Sequence, residues 1–296
     1  MTADVEPFGT YALSAPRRWM QYFAGGTKPS GYGIARLRYS IFRRAVHWGR
    51  KRRPIDVEFF DGVRARLYIW DNTTDRLVYR AADYWDFSER SELAARVHAH
   101  DGAEPFVFLD IGANSGFYSL WLVAQARKLG KKIRVLAIEP DPINRERLAF
   151  NIAASDAADI VAVERLAVSD AKATGAIVSE GVDRGSNKLV SASDVTDRSQ
   201  VVETDLLSNI LAKHGIKRVD ALKIDIEGGE MRALSPYFQS EPSESWPRFV
   251  VTEAHADNRA EIVGLFERHG FVVHTQGKVN FMFALPEEIR RKRANG

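Results

Sequence analysis

Residues 106–116 read Phe-Val-Phe-Leu-Asp-Ile-Gly-Ala-Asn-Ser-Gly, an apolar run that ends in Asp110 and feeds a glycine turn, Gly112 to Gly116. An apolar helical stretch, Phe117 to Val123, follows at once. A strand, a glycine turn and a helix N-terminus in succession point to an α/β sheet whose turn cradles a nucleotide-like ligand. Dinucleotide sites carry Gly-x-Gly-x-x-Gly at this place, whereas the spacing here is Gly-x-x-x-Gly. A carboxylate beside a pyrophosphate would repel it. Asp110 suits instead a ligand with a positive amine. That favours S-adenosylmethionine, which has an ammonium at its methionine end and a cationic sulfur.

A second acid agrees. Arg134 to Ile138 is a short apolar run ending in Glu139, followed by Pro140, Asp141 and Pro142. An acid closing the second strand of such a unit accepts hydrogen bonds from ribose hydroxyls. From Phe106 onward, strands are expected at 106–110, 134–138, 160–167, 219–225, 249–253, 271–275 and 279–284. Helices are expected between them at 117–129, 142–153, 205–214, 230–235 and 258–269. This alternation predicts a mostly parallel sheet with helices on both faces and a closing hairpin. Residues 172–204 break the rhythm and read as an inserted β-ribbon. Its Arg184, Asn187 and Lys188, with the aromatics at 79–87, are expected to shape an acceptor pocket.

Upstream, the residue pattern divides the chain into a basic arm (1–55), a hairpin-and-helix extension (56–104), the main domain (105–286) and a basic tail (287–296). Residues 1–30 look loosely structured. Residues 34–48 place Ile34, Leu37, Ile41, Ala45 and Trp48 on one helical face. Val57 to Trp70 reads as a hairpin turning at Asp61-Gly62, and 74–100 as one helix. The arm holds eleven Lys or Arg against two acids, a balance of +9 in a chain whose net charge is +3. Basic residues interleaved with Trp19, Tyr22, Phe23, Tyr32, Tyr39, Phe42 and Trp48 could meet an anionic membrane surface, a glycan or nucleic acid. The plainer reading is an arm whose aromatics pack on the main domain. The chain has no cysteine, which excludes disulfides, thiolate metal sites and cysteine nucleophiles. No apolar run approaches membrane-span length, and Arg17 and Arg18 interrupt any signal core. The default expectation is a cytoplasmic protein.

The fourth strand runs Asp220-Ala-Leu-Lys-Ile-Asp-Ile-Glu-Gly-Gly-Glu230. Ligands in open α/β sheets sit beyond the carboxyl ends of strands, so Asp225, Glu227 and Glu230 belong at that edge. Lys223 interrupts a strand that should be apolar, and it needs a carboxylate partner or a wet crevice. The fifth strand ends Thr252-Glu253-Ala254-His255. If the two strands are neighbours, Asp225 and Glu253 face each other and must share a proton, pair with Lys223 or hold a cation.

The segments 109–120, Ile138-Glu-Pro140, Leu166-Ala-Val-Ser-Asp170 and Leu222-Lys-Ile-Asp-Ile-Glu-Gly-Gly-Glu230 resemble the FkbM family of S-adenosylmethionine-dependent methyltransferases, over about residues 85–285. The resemblance implies a Rossmann-like class I methyltransferase fold, with a seven-stranded sheet closed by an antiparallel strand. It also implies O-methylation of a hydroxyl on a sugar, glycan or other natural-product-like acceptor. Carried over, Asp110, Gly112, Asn114 and Gly116 would hold the methionine part of the cofactor, Glu139 the ribose, and Ala167 and Val168 would flank the adenine. Asp225 and Glu227 would line the reaction site.

An alcohol needs a general base within reach. His255 is the first candidate and Asp225 the second, particularly if Glu253 raises its pKa. A divalent cation such as Mg²⁺ bridging Asp225 and Glu253 is the less favoured route. Three rivals are a non-catalytic module of the same fold, a nucleic-acid methyltransferase and an NAD-dependent reductase, the last disfavoured by the missing middle glycine and by Asp110. The second is disfavoured because the fourth strand carries Asp225-Ile-Glu-Gly where base methyltransferases carry Asn/Asp-Pro-Pro-aromatic.

Overall fold

The computed structural model describes residues 6–25, 46, 48, 52–60, 62–179, 183–185, 187–190, 199–277 and 279–288. Its centre is a seven-stranded sheet built from β3 (Phe106–Ile111), β4 (Ile133–Ile138), β5 (Val161–Glu164), β10 (Ala221–Ile224), β11 (Phe249–Glu253), β12 (Val272–Gln276) and β13 (Asn280–Ala284). The spatial order is β12-β13-β11-β10-β3-β4-β5, with β13 antiparallel to both neighbours. The order reverses at β3, so β3 and β10 lie side by side at the switch point where α/β sheets bind ligands.

Alternation along β3 decides which layer each residue joins. Phe106 and Phe108 face α3 (Phe87–Ala99), α4 (Phe117–Lys128) and α5 (Pro142–Ala154). Leu109 and Ile111 face α6 (Leu207–Lys213), α7 (Glu230–Ser240) and α8 (Arg259–Arg268). Asp110 therefore points to the α4 side. α5 begins where Asp141 accepts bonds from the amides of Ile143 and Asn144, with Pro142 as its first residue. α7 continues to Ser240, past the end expected at 235, although Pro236 removes one amide. Burial of Tyr237 and Phe238 beyond the proline offsets the lost bond.

Before the sheet, β1 (Ile55–Phe59) and β2 (Val63–Leu67) form the expected hairpin, although Asp61 of its turn lies outside the described residues. The single helix expected over 74–100 is instead two, α2 (Thr73–Ala81) and α3. Between them Asp86 adopts a left-handed backbone, φ 43°. The cause is Arg90, whose buried guanidinium donates to the carbonyls of Trp85, Ala82 and Asp83 and so ties off the broken end.

Three other expectations change. Residues 15–25 form a helix, α1 (Ala15–Gly25), which has Pro16 near its start and packs on α2. The strand drawn over 160–167 stops at Glu164, and the residues after it form a separate strand, β6 (Ala167–Val168). β6 joins the inserted ribbon, which consists of β7 (Ala173–Ser179), β8 (Asn187–Val190) and β9 (Gln200–Asp205). Together they make a second sheet in the order β6-β9-β7-β8. Trp48 is 80% exposed rather than turned inward, while Val46 is buried. The rest of the helix expected at 34–48, and the tail 290–293, lie outside the described residues.

The arm is fastened by charge as well as packing. Asp56, whose carboxylate is fully buried, forms an ion pair with Arg66 at 2.7 Å and accepts from the amides of Gly9 and Tyr11. Asp56→Ala would leave the Arg66 cation unpaired in the interior, and is expected to lower unfolding free energy by about 3–5 kcal/mol in urea denaturation.

Candidate active site

The glycine turn closes on the neighbouring strand. Gly112 has φ 74°, and a Cβ there would sit 2.0 Å from the carbonyl oxygen of Asp225. At Gly116, φ 85°, a Cβ would meet Leu148 Cδ1 at 2.4 Å. Asn114, also left-handed at φ 51°, donates its amide to Glu139 Oε2 at 2.7 Å. Glu139 Oε1 accepts from the amide of Asp141 at 2.9 Å. Burial pushes the Glu139 carboxyl up to about 7, against these two amide bonds.

The extension braces this turn from outside. Asn72 Nδ2 donates to Asn114 Oδ1 at 2.6 Å, Asn114 Nδ2 to Thr74 Oγ1 at 3.3 Å, and Ser115 Oγ to Asp75 Oδ1 at 2.7 Å. Asp75 also accepts the amide of Tyr68, and burial raises its pKa to about 6. Sequence reading missed Asn72, Thr74 and Asp75 as site residues. Asn72 preceding an amphipathic run is a helix-cap signal, but a local cap does not show what else its amide touches.

Beneath the turn lies a line of charge. Lys223 pairs in register with Asp110 across β10 and β3. Its ammonium donates to the Gly112 carbonyl at 2.8 Å and stands 3.4 Å from Asp225 Oδ2 and 3.8 Å from Asp110 Oδ1. Burial alone would lower the lysine's pKa, but Asp225, Asp110 and Glu253 outweigh it and raise it. The carboxylate partner that the sequence demanded is thus two carboxylates. Asp110 is 0% exposed and accepts from Ser119 Oγ at 2.6 Å. It underlies the cavity floor rather than forming the wall expected of it. Its Oδ1 has no hydrogen-bond partner among the described residues.

At the mouth, Glu253 Oε2 lies 3.1 Å from His255 Nε2. Burial, with Asp225 and Glu227 nearby, lifts the Glu253 carboxyl to about 7, partly opposed by His255 and Lys223. One ligand atom each from Glu227, Glu253 and His255 falls within 4.8 Å of the others. These three are a candidate cation-binding group among the described residues, and it shares Glu253 with the Asp225–Glu253 pair expected from sequence. His255 joins it because the chain just beyond the end of β11 folds back beside Glu253. His255 is 45% exposed and stands behind Glu253, outside the cavity wall.

The cavity encloses about 460 Å³, the size of a cofactor pocket. The glycine turn, Glu139, Asp225, Glu227 and Glu253 line it, with apolar wall from Ile138, Ala167, Val168, Ile177 and Leu189. Arg184 and Lys188 of the ribbon also line it; the side chain of Asn187 lies outside the described residues. The extension adds Thr73, Thr74, Leu77, Trp85 and Asp86. Asp86, with burial raising its pKa, accepts from Tyr118 Oη at 2.9 Å. The ribbon is latched over this wall. Asp183 accepts from the amide and hydroxyl of Thr73. The Arg184 amide donates to the Asp71 carbonyl at 2.8 Å, and the Arg184 carbonyl accepts from Asn144 Nδ2 at 2.9 Å.

A ligand with a cationic methionine end, a ribose and a flat base fits these residues. The glycine turn leaves backbone exposed, Glu139 closes β4, and the apolar wall offers a slot for a ring. The floor is acidic, as a cation requires.

Comparison with known proteins gives this architecture a family. Residues 110–273 match the Methyltransferase FkbM domain. The chain is 28% identical over 240 residues to the 31-O-demethyl-FK506 methyltransferase FkbM of Streptomyces tacrolimicus, covering 71% of this chain and 88% of that one. It is 28% identical over 211 residues to the methyltransferase sdnD of Sordaria araneosa, covering 59% of this chain and 78% of the other. Among solved structures, the methyltransferase FkbM from Methylobacillus flagellatus KT aligns with a TM-score of 0.41 at 16% identity, covering 83% of this chain and 60% of that chain. The family match spans more than half of the sequence, from the acid in β3 to the closing hairpin, and the chain belongs to the FkbM family of methyltransferases.

Proposed function

We propose that this methyltransferase uses S-adenosylmethionine to methylate a hydroxyl of a sugar, glycan or other natural-product-like acceptor. The observation that carries the reading is the convergence, in one cavity, of the glycine turn with the acids that end β4, β10 and β11. When bound, the cofactor supplies an electrophilic methyl group on a cationic sulfur. Gly112, Asn114 and Gly116 would cradle its methionine end. Asp110 acts from below, balancing Lys223 so that the floor stays acidic. Glu139 would take the ribose hydroxyls, and Ala167 and Val168 would flank the adenine.

The acceptor end belongs to Asp225, Glu227 and Glu253. Glu253, in place of the His255 and Asp225 expected from sequence, is our choice of base, because it lines the cavity and burial lifts its carboxyl to about 7. A base with a pKa near the working pH is the efficient choice. His255, beside Glu253 on the solvent side, positions it. Asp225, held 3.4 Å from Lys223, orients the acceptor. A cation held by Glu227, Glu253 and His255 would acidify the hydroxyl instead.

Calorimetric titration with S-adenosylmethionine is expected to show binding that Asp110→Ala loses, because that change leaves the buried Lys223 cation facing the ligand's own positive charge. Absence of binding to the unaltered protein would hand the lead to the non-catalytic module. Asp225→Asn is expected to keep cofactor affinity within about threefold while turnover of a hydroxylated acceptor falls at least about a hundredfold. A parallel loss of both would remove Asp225 from the acceptor end.

The pH dependence follows from the sign of the Glu253 shift. A base works ionised, so with its pKa raised from 4.5 to about 7 the rate should climb through neutrality and level off above it. Glu253→Gln should abolish that rise. EDTA should leave turnover unchanged; its removal of activity, restored by Mg²⁺, would favour the cation route.

A further inference from the structure

The start of α2 reaches the cavity with residues that the matched family domain, 110–273, does not include. Thr73 and Thr74 line the wall together with Asn114. Asn72 is buried, 1% exposed, and uses its side-chain amide in two directions. Its Oδ1 accepts the amide of Asp75 at 3.2 Å and so caps α2. Its Nδ2 donates to Asn114 Oδ1 at 2.6 Å. The Asp75 amide holds the oxygen of Asn72, so the NH₂ edge is the one that meets Asn114 and selects the oxygen of that residue as its partner.

That choice decides what Asn114 has left for a ligand. A side-chain amide has an acceptor edge and a donor edge. The acceptor edge of Asn114 is taken by Asn72, with Ser115 Oγ at 3.4 Å as well. Of its donor edge, one hydrogen goes to Thr74 Oγ1 at 3.3 Å, and the other meets no acceptor among the described residues. Thr74 Oγ1 accepts in that bond, and its own hydrogen is also uncommitted among the described residues. Two donors thus stand together in the wall. Around them the cavity is of the opposite kind, since Glu139 and Asp225 line it and Asp110 underlies it. Its nearby cations are engaged: Lys223 by the Gly112 carbonyl, Asp225 and Asp110, Arg184 by Asp141, and Arg232 by Asp170. The methionine end of S-adenosylmethionine carries an ammonium and a carboxylate on one carbon. The acids suit the ammonium and repel the carboxylate, which needs donors.

We propose that Asn72 is a positioning residue for the cofactor: by holding Asn114 Oδ1 it keeps the N–H edge of that amide, together with the Thr74 hydroxyl, available to the methionine carboxylate. Without Asn72 the Asn114 amide is free to turn over and offer its oxygen, which repels a carboxylate. The proposal rests on the S-adenosylmethionine reading of the cavity and adds to it a carboxylate subsite that the N-terminal extension completes.

Two variants of the full chain test it by calorimetric titration. Asn72→Ser keeps an oxygen that caps α2 but is too short to reach Asn114. Thr74→Val removes the hydroxyl and keeps the branched shape. The two ligands are S-adenosylmethionine and its decarboxylated form, which retains the ammonium and the cationic sulfur but lacks the carboxylate. Each variant should bind S-adenosylmethionine about tenfold more weakly, the scale of one hydrogen bond to a charged group, and the decarboxylated form within about twofold of the unaltered protein. A merely structural role would weaken both ligands alike, and that result in either variant would overturn the proposal. Unchanged affinity of Asn72→Ser for S-adenosylmethionine would overturn it too. Failure of the unaltered protein to bind either ligand would instead remove the cofactor reading, and the carboxylate subsite with it.

Discussion

A single buried ammonium organises the catalytic end of this protein. Lys223 sits where a parallel strand should be apolar, and it is tolerated because Asp110 and Asp225 flank it and the Gly112 carbonyl accepts its hydrogen bond. These contacts join β3, β10 and the glycine turn into one electrostatic unit. Removing either the cation or its carboxylates would strand charge in the interior, so turn geometry and strand pairing depend on the same balance. Asp110 is thereby committed to the floor, and the acidity a cationic ligand would sense comes from the unit rather than from one exposed carboxylate.

The turn depends equally on residues that precede the matched family domain. Asn72, Thr74 and Asp75 hold Asn114 and Ser115 from the side of α2. Asp183 of the ribbon reaches the start of that helix. Two segments that look peripheral in sequence therefore meet over the cavity. The extension is part of the site's wall, which explains why Trp85 and Asp86 line the cavity although they lie before β3. Asp86 has a left-handed backbone and turns its carboxyl to Tyr118 instead of capping α3. Strained backbone of this kind is tolerated only when the surroundings hold it.

Much of this was legible in the residues. Short apolar runs bounded by turn residues placed β3, β4 and β10 to β13 within a residue or two of their observed limits, because strands buried on both faces and amphipathic helices leave distinct apolar patterns. The acids at strand ends were legible for the same reason, since each follows directly from a run of apolar residues. Less was legible where a tertiary contact overrides local preference. Arg90 breaks the helix expected at 74–100 by binding its carbonyls, and buried Tyr237 and Phe238 carry α7 past Pro236.

The sequence by itself determined the sheet, the glycine turn and the identities of the charged residues at its edge. These follow from local periodicity, from the steric freedom of glycine and from the cost of burying charge. Tertiary structure alone decided which of those charges meet. It put Asp110 beneath the floor, set Glu227 beside Glu253 and His255, and brought α2 against the turn. Such contacts join residues far apart in the chain, 111 positions for Lys223 and the Gly112 carbonyl. No spacing along the chain encodes the distance between two groups that only folding brings together.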